Sequence, residues 1–127
     1  MAKIDLHLHT TFSDGRLTPT EMVQLCAHRG LEVISISDHD STEGIPEALA
    51  AAESFPELTI IPGIELSTDV PKAEIHILGY FIDFLDARLQ QILQKFRDGR
   101  QVRIRNMVDD LNNLGVKISW NRVKQLS

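Results

Sequence analysis

Apolar and polar positions alternate strictly at the start of the chain. Across residues 3–8, Ile4, Leu6 and Leu8 fall on one side and Asp5, His7 and His9 on the other, the period of a strand with one apolar face and a polar mouth. A helical period then takes over. Thr18 is placed to cap a helix, Pro19 suits its first position, Glu21 completes a capping box, and Met22, Leu25 and Cys26 follow at helical spacing until Gly30. The unit repeats: "LEVISISDHD" is a β-branched run with Val33, Ser35, Ser37 and His39 on one face, and "TEGIPEALAAAES" is a short helix ended by Pro56. A third strand, "LTIIPGIEL", aligns Ile61, Gly63 and Glu65; a fourth, "EIHILGY", aligns Glu74, His76 and Leu78. Strand and helix alternating in this way predict parallel strands joined by crossover helices, an α/β barrel or open α/β sheet.

From Asp86 onward the period is helical throughout. Leu89, Ile92, Leu93 and Phe96, then Ile104, Met107, Val108, Leu111 and Leu114, form the apolar faces of a long helix. Gly99 is expected to weaken or kink it, Gly115 to end it, and Ser119 to cap a last short helix through Leu126. The change of pattern divides the chain into an α/β part, residues 1–85, and a helical part, residues 86–127.

The 127 residues are 43% hydrophobic and 24% charged, values that suit one folded domain and exclude a disordered or collagen-like chain. A basic leader followed by an apolar run is lacking, and no stretch approaches 18 consecutive apolar residues, so a cytoplasmic protein without a membrane partner is expected. The single cysteine, Cys26, lies on the apolar face of the first helix and reads as a small core residue rather than a nucleophile. Charge is more informative. Residues 1–85 carry 14 Asp and Glu against 4 Lys and Arg, whereas residues 86–127 carry 4 against 9. An acidic part that collects cations thus precedes a basic part suited to an anion.

Candidate chemistry gathers where parallel strands end, the rim at which α/β folds place their sites. His7 and His9 close the first strand, Asp14 follows in its loop, His39 and Glu65 close the second and third, and His76 lies in the fourth. Taken singly, each reads as an ordinary hydrogen-bonded residue or turn former. Together, four imidazoles and two carboxylates around one rim are costly to bury without a cation. A mixed imidazole and carboxylate set favours zinc, manganese or iron over all-oxygen or thiolate metals. Two such ions about 3.5–4 Å apart, bridged by Glu65, suit in-line displacement at phosphorus.

The segments "DLHLHTTFSDG", "SDHD", "PGIE" and "EIHILGY" resemble, in order and spacing, the metal-binding motifs of the PHP (polymerase and histidinol phosphatase) family. The later "LQQILQKFRDGRQVRIRNMVDDLNNLG" resembles the helical insertion of its stand-alone branch, which hydrolyses nucleoside 3',5'-bisphosphates and trims short RNA 5' ends. The resemblance implies an α/β fold, the incomplete N-terminal part of a distorted (β/α)7 barrel plus that insertion. It implies two or three divalent ions: one held by His7, His9 and Glu65, a second by Glu65 and His76, a third by Asp14 and His39. Family members add a further His and an Asp-x-His pair from later strands, and no His follows His76 here. The chain therefore reads as part of a longer protein, with unclosed barrel edges open to self-association. A histidinol-phosphatase-like enzyme and a non-catalytic metal-binding or assembly module are the alternative readings.

Outside the ligand set, Asp5 shares the face of His7 and His9 and is placed either to orient a ligating imidazole or to form an ordinary salt bridge. Asp38 and Asp40 flank His39, with a turn or cap role for Asp40 competing with a catalytic one. Tyr80 shares the face of His76 and could touch substrate. Arg100 and Arg103, three apart in a stretch holding six of the thirteen basic residues, can point the same way and fork onto a phosphate. A solvated helix face is the plainer reading of that cluster. The expected partner is a small nucleotide or short RNA end rather than duplex DNA.

Overall fold

The computed structural model describes residues 3–70 and 73–126. Four strands and four helices follow in the order β1 (Ile4–Leu8), α1 (Pro19–His28), β2 (Val33–Ile36), α2 (Ile45–Ala52), β3 (Thr59–Val70), β4 (Ala73–Tyr80), α3 (Ala87–Asn113) and α4 (Trp120–Leu126). They fall into two compact units, Met1–Gln90 and Gln91–Ser127, with α3 starting in the first and running through the second.

In the first unit the strands form one sheet in the order β1-β2-β3-β4. β1 pairs with β2, and β2 with the first third of β3, in parallel. Val23 and Cys26 from α1 and Ala48 from α2 pack with Ile34, Ile36 and Leu58 to form the core; of the α1 positions read as apolar, Cys26 is buried and Met22 packs against it, but Leu25 is 41% exposed and Val23 takes its place. Ile34, Val23 and Ala48 have no exposed surface. α1 and α2 are tied together by Glu47, whose Oε1 accepts from the amide and hydroxyl of Thr20 at 3.1 and 2.8 Å. Residues of both helices pack in this core with those of β2. Ile4 departs from the strand pattern: at the start of an edge strand it stands 55% exposed.

Local signals at the helix ends act as read from the sequence. Thr18 and Glu21 form a reciprocal capping box, the Glu21 amide donating to Thr18 Oγ1 at 3.2 Å and the Thr18 amide to Glu21 Oε2 at 2.9 Å. Those bonds from the Thr18 backbone and side chain hold the Glu21 carboxyl below its usual range. Gly30, at φ +70, closes α1 in a Schellman motif: its amide bonds the Ala27 carbonyl and the Leu31 amide bonds the Cys26 carbonyl. α3 ends in the same motif at Gly115, and the Arg122 amide donates to Ser119 Oγ at the start of α4. Burial, followed by the charge of Asp5, pushes the Cys26 thiol up, which leaves it protonated and inert.

One expectation fails for an identifiable reason. β4 is antiparallel to β3, with Glu65 opposite Leu78 and Ser67 opposite His76. Only two residues separate Val70 from Ala73, and a parallel return would need a crossover of a dozen or more. The sheet is therefore mixed, and it curls into a half-barrel: the Tyr80 hydroxyl donates to the Leu6 carbonyl at 3.0 Å, joining β4 to β1 although two strands intervene. Tyr80 thus braces the sheet rather than offering a free hydroxyl to substrate.

Gly99, expected to weaken or kink α3, does not interrupt it: the helix is continuous over 27 residues. A Cβ built there meets nothing within 4 Å. Gly99→Ala is accordingly expected to stabilise the second unit by about 1 kcal/mol, the intrinsic helix penalty of glycine. Equilibrium urea denaturation followed by helical circular dichroism checks this, and a lower midpoint would show that the glycine is needed for packing. No helix among the described residues is long and apolar enough to cross a membrane.

Candidate metal centre

β1, the loop after it, the turn after β2, and the β3–β4 hairpin bring six side chains together, and Glu65 is their centre. It lies in β3, where the chain changes partner from β2 to β4, and its side chain is 5% exposed. Four imidazoles face its carboxylate. His7 Nε2 and His9 Nε2 lie 2.9 and 3.0 Å from Oε2, His39 Nε2 lies 3.5 Å from Oε2, and His76 Nδ1 lies 2.8 Å from Oε1.

Each of these placements has a local cause. His7 and His9 are two apart in an extended segment, which sends both to the same side, and the β1–β2 register shifts between Asp5 and Leu8 to aim them. His39 lies beyond the end of β2 but is held by a bridge to Glu65. His76 reaches Glu65 from the middle of the returning strand. As the diagonal neighbour across the antiparallel pair it shares Glu65's side of the sheet. Its place in the site therefore comes from the hairpin, not from the end of a parallel strand.

Asp14 completes the set from the loop after β1. Its Oδ1 is 2.8 Å from His9 Nδ1 and its Oδ2 is 3.8 Å from His39 Nε2. Among the described residues three groups have ligand atoms within 4.8 Å of one another: His7, His9 and Glu65; His9, Asp14 and His39; and His39, Glu65 and His76. The ring centroids of successive imidazoles, His7 to His9 to His39 to His76, are 4.9, 4.7 and 4.8 Å apart, a continuous arc.

These separations fit metal ions. Two ligand atoms each about 2.1 Å from one ion, at angles of about 90–110°, lie about 3.0–3.4 Å from each other. Most of the contacts to Glu65 are close to that span. Burial alone would raise the Glu65 carboxyl. Hydrogen bonds from His7 and His76 and positive charge on His39 and His7 outweigh it and hold the group below its usual range. Asp14 behaves alike: burial opposes ionisation, and the hydrogen bond and charge of His9, then the charge of His39, more than offset it. Both carboxylates are thus ionised acceptors turned toward imidazoles, a donor set of nitrogen and oxygen with no thiolate.

Around this set lie residues whose part only the three-dimensional structure reveals. Asp38 is 1% exposed and accepts from the Thr10 amide, the Thr10 hydroxyl and the Ser13 hydroxyl at 2.6, 2.7 and 2.6 Å. Asp40 adopts a left-handed backbone at φ 51, donates its amide to the Glu65 carbonyl and accepts from the Ser67 amide at 3.0 Å. Ser67 Oγ lies 3.4 Å from His39 Nδ1, which leaves Nε2 directed at Glu65 and Asp14. Asp5, by contrast, accepts from the His7 backbone amide at 3.1 Å rather than from an imidazole. Neither Ser41 nor Thr42 caps α2, whose N-cap is Gly44 without a side-chain bond.

The PHP domain pattern matches residues 5–117 of the chain, a span that contains all six converging side chains. The chain belongs to the PHP family. Among similar proteins, a 3',5'-nucleoside bisphosphate phosphatase of Chromobacterium violaceum is 39% identical over 116 residues, 91% of this chain and 40% of that protein. A 5'-3' exoribonuclease of Haemophilus influenzae is 35% identical over 125 residues, 98% of this chain and 45% of its own. A solved structure from Bifidobacterium adolescentis, described as a metal-dependent phosphoesterase, superposes with a TM-score of 0.85 at 30% identity, covering 99% of this chain and 44% of that one. This PHP chain thus spans about two fifths of the length of the curated relatives it matches.

Proposed function

We propose that this PHP chain supplies the N-terminal share of a divalent-metal phosphoesterase centre that acts on small nucleotides, nucleoside 3',5'-bisphosphates or the 5' ends of short RNA. The observation that carries the reading is the buried Glu65 carboxylate ringed by four imidazoles, with Asp14 beside two of them. His7, His9 and Glu65 would hold one ion, Glu65 and His76 a second with His39 in reach, and Asp14 and His39 a third. Manganese, zinc and iron are the ions suited to this nitrogen and oxygen set. When bound, such ions supply Lewis acidity toward a phosphoryl oxygen and activation of water.

The chain's own residues have separate tasks. Glu65 presents Oε2 to His7 and His9 and Oε1 to His76, so one carboxylate can serve two ions. Ser67 and Asp14 each face one nitrogen of an imidazole and leave the other directed into the site. Arg100 and Arg103, three residues apart on α3, would bind a substrate phosphate with their guanidinium groups. The names of the phosphatase and exoribonuclease relatives support this substrate class.

The test is release of inorganic phosphate from adenosine 3',5'-bisphosphate by the full-length protein loaded with Mn2+. Turnover is expected, with Arg100→Ala and Arg103→Ala raising KM for the bisphosphate. Preference for histidinol phosphate would assign the other known substrate class, and failure to hydrolyse either with any of the three metals would refute the phosphoesterase reading.

A further inference from the structure

We propose that Asp38 is the positioning residue of the centre, holding the loop that carries His9 and Asp14 in register with His39 and Glu65. The proposal rests on the metal-centre reading above and assigns a part to a residue that contacts none of the six ligand groups through its own carboxylate.

Three observations converge on it. First, the carboxylate is buried and accepts three short hydrogen bonds, all from residues 10–13, the segment between His9 and Asp14. Second, the Asp38 backbone carbonyl accepts the Glu65 amide at 3.2 Å, while His39 is its immediate neighbour. One residue therefore joins all three segments that converge on the Asp14 side of the site. Third, Asp38 sets the direction of the bonds beyond it. The Thr10 hydroxyl spends its only proton on Asp38 Oδ2, so Thr10 Oγ1 is free to accept from the Phe12 amide at 3.2 Å. Ser13 likewise gives its proton to Asp38 Oδ1 at 2.6 Å. Asp14 Oδ1, the other acceptor within reach of that hydroxyl at 3.3 Å, is thereby left to face His9 Nδ1 at 2.8 Å.

An amide in place of the carboxylate keeps the shape but loses this directionality. Only one of its two heavy atoms accepts, and the other presents N–H to a hydroxyl that must now reverse. The loop then loses its fixed register while Glu65, His7 and His76, which do not depend on these bonds, keep theirs.

Titration of the full chain with Mn2+ alone, reading free ion by electron paramagnetic resonance, tests the assignment. Wild type is expected to bind more than one ion per chain. Asp38→Asn is expected to weaken the ion shared by Asp14 and His39 by about 10–100-fold, the range for an orienting partner, to weaken the ion at His7, His9 and Glu65 by less, and to leave the ion between Glu65 and His76 unchanged. Ser13→Ala, which removes one of the three bonds, should weaken the same ion by less and guards against misfolding of the first variant. A purely structural Asp38 would lower the thermal midpoint and leave the isotherm as in wild type; that result, or equal loss of every ion in a folded variant, overturns the proposal. A wild-type chain that binds no Mn2+ overturns the metal-centre reading itself, and the positioning role with it.

Discussion

Glu65→Gln is expected to abolish binding of the ions that Glu65 bridges and, in the full-length protein, phosphoester hydrolysis with them. The change is nearly isosteric, yet it replaces a carboxylate that serves His7 and His9 through one oxygen and His76 through the other. Glutamine offers one neutral oxygen to a site built for two anionic ones. Its amide N–H must also face imidazole nitrogens that a cation would need as lone-pair donors. The loss should exceed the roughly 10–100-fold that removal of a partner outside the ligand shell costs. Elemental analysis of the purified variant, with circular dichroism as the control for folding, measures it. A folded Glu65→Gln protein that keeps the full wild-type metal content would remove Glu65 from the centre.

The second large effect is expected at Gly15. A Cβ on this residue would collide with the His9 carbonyl and the Thr10 amide, backbone atoms that cannot swing aside as a side chain can. The loop has little freedom to relax, because the Gly15 and Ser13 amides both bond to the Thr10 carbonyl at 3.0 Å and the Thr11 amide bonds to the Leu17 carbonyl at 2.9 Å. Gly15→Ala is therefore expected to cost about 1–3 kcal/mol, as overpacking does in a tight site. It should also displace Asp14, its neighbour in sequence, and weaken the ion next to His39. Thermal denaturation and Mn2+ titration on one sample separate the two effects. A variant as stable and as metal-competent as wild type would show that the loop yields without strain.

The parts of this structure that follow from short-range rules could be read from the chain. His7 and His9 share a side because a strand repeats every two residues, and Thr18, Glu21 and Gly30 bound α1 because their bonds close within a few positions. The convergence of Asp14, His39, Glu65 and His76 was also accessible, since four segments bearing His and carboxylate side chains resemble, in order, one family's metal-binding motifs. Strand direction was not. Alternation in "EIHILGY" marks a face, and a face looks the same whichever way the strand runs, so the antiparallel return emerged only with the register of Ser67 against His76.

Asp38 and Tyr80 show a second limit. Their bonds span 28 and 74 positions, and nothing local distinguishes a carboxylate that braces a loop from one that caps a helix, or a phenol that ties two strands from one that meets substrate. Gly99 shows a third. A single helix-disfavouring residue costs about 1 kcal/mol, too little to break a helix of 27 residues whose flanking turns are otherwise sound.

Six side chains of this chain are proposed to form a multinuclear metal centre about Glu65. Anomalous X-ray diffraction from Mn2+-soaked crystals tests it most directly. One ion is expected within about 2.3 Å of His7 Nε2, His9 Nε2 and Glu65 Oε2, and a further ion bounded by His76 and Glu65 Oε1 or by Asp14 and His39. Anomalous peaks confined to other residues, with the four imidazoles still bonded to Glu65 at saturating Mn2+, would contradict it.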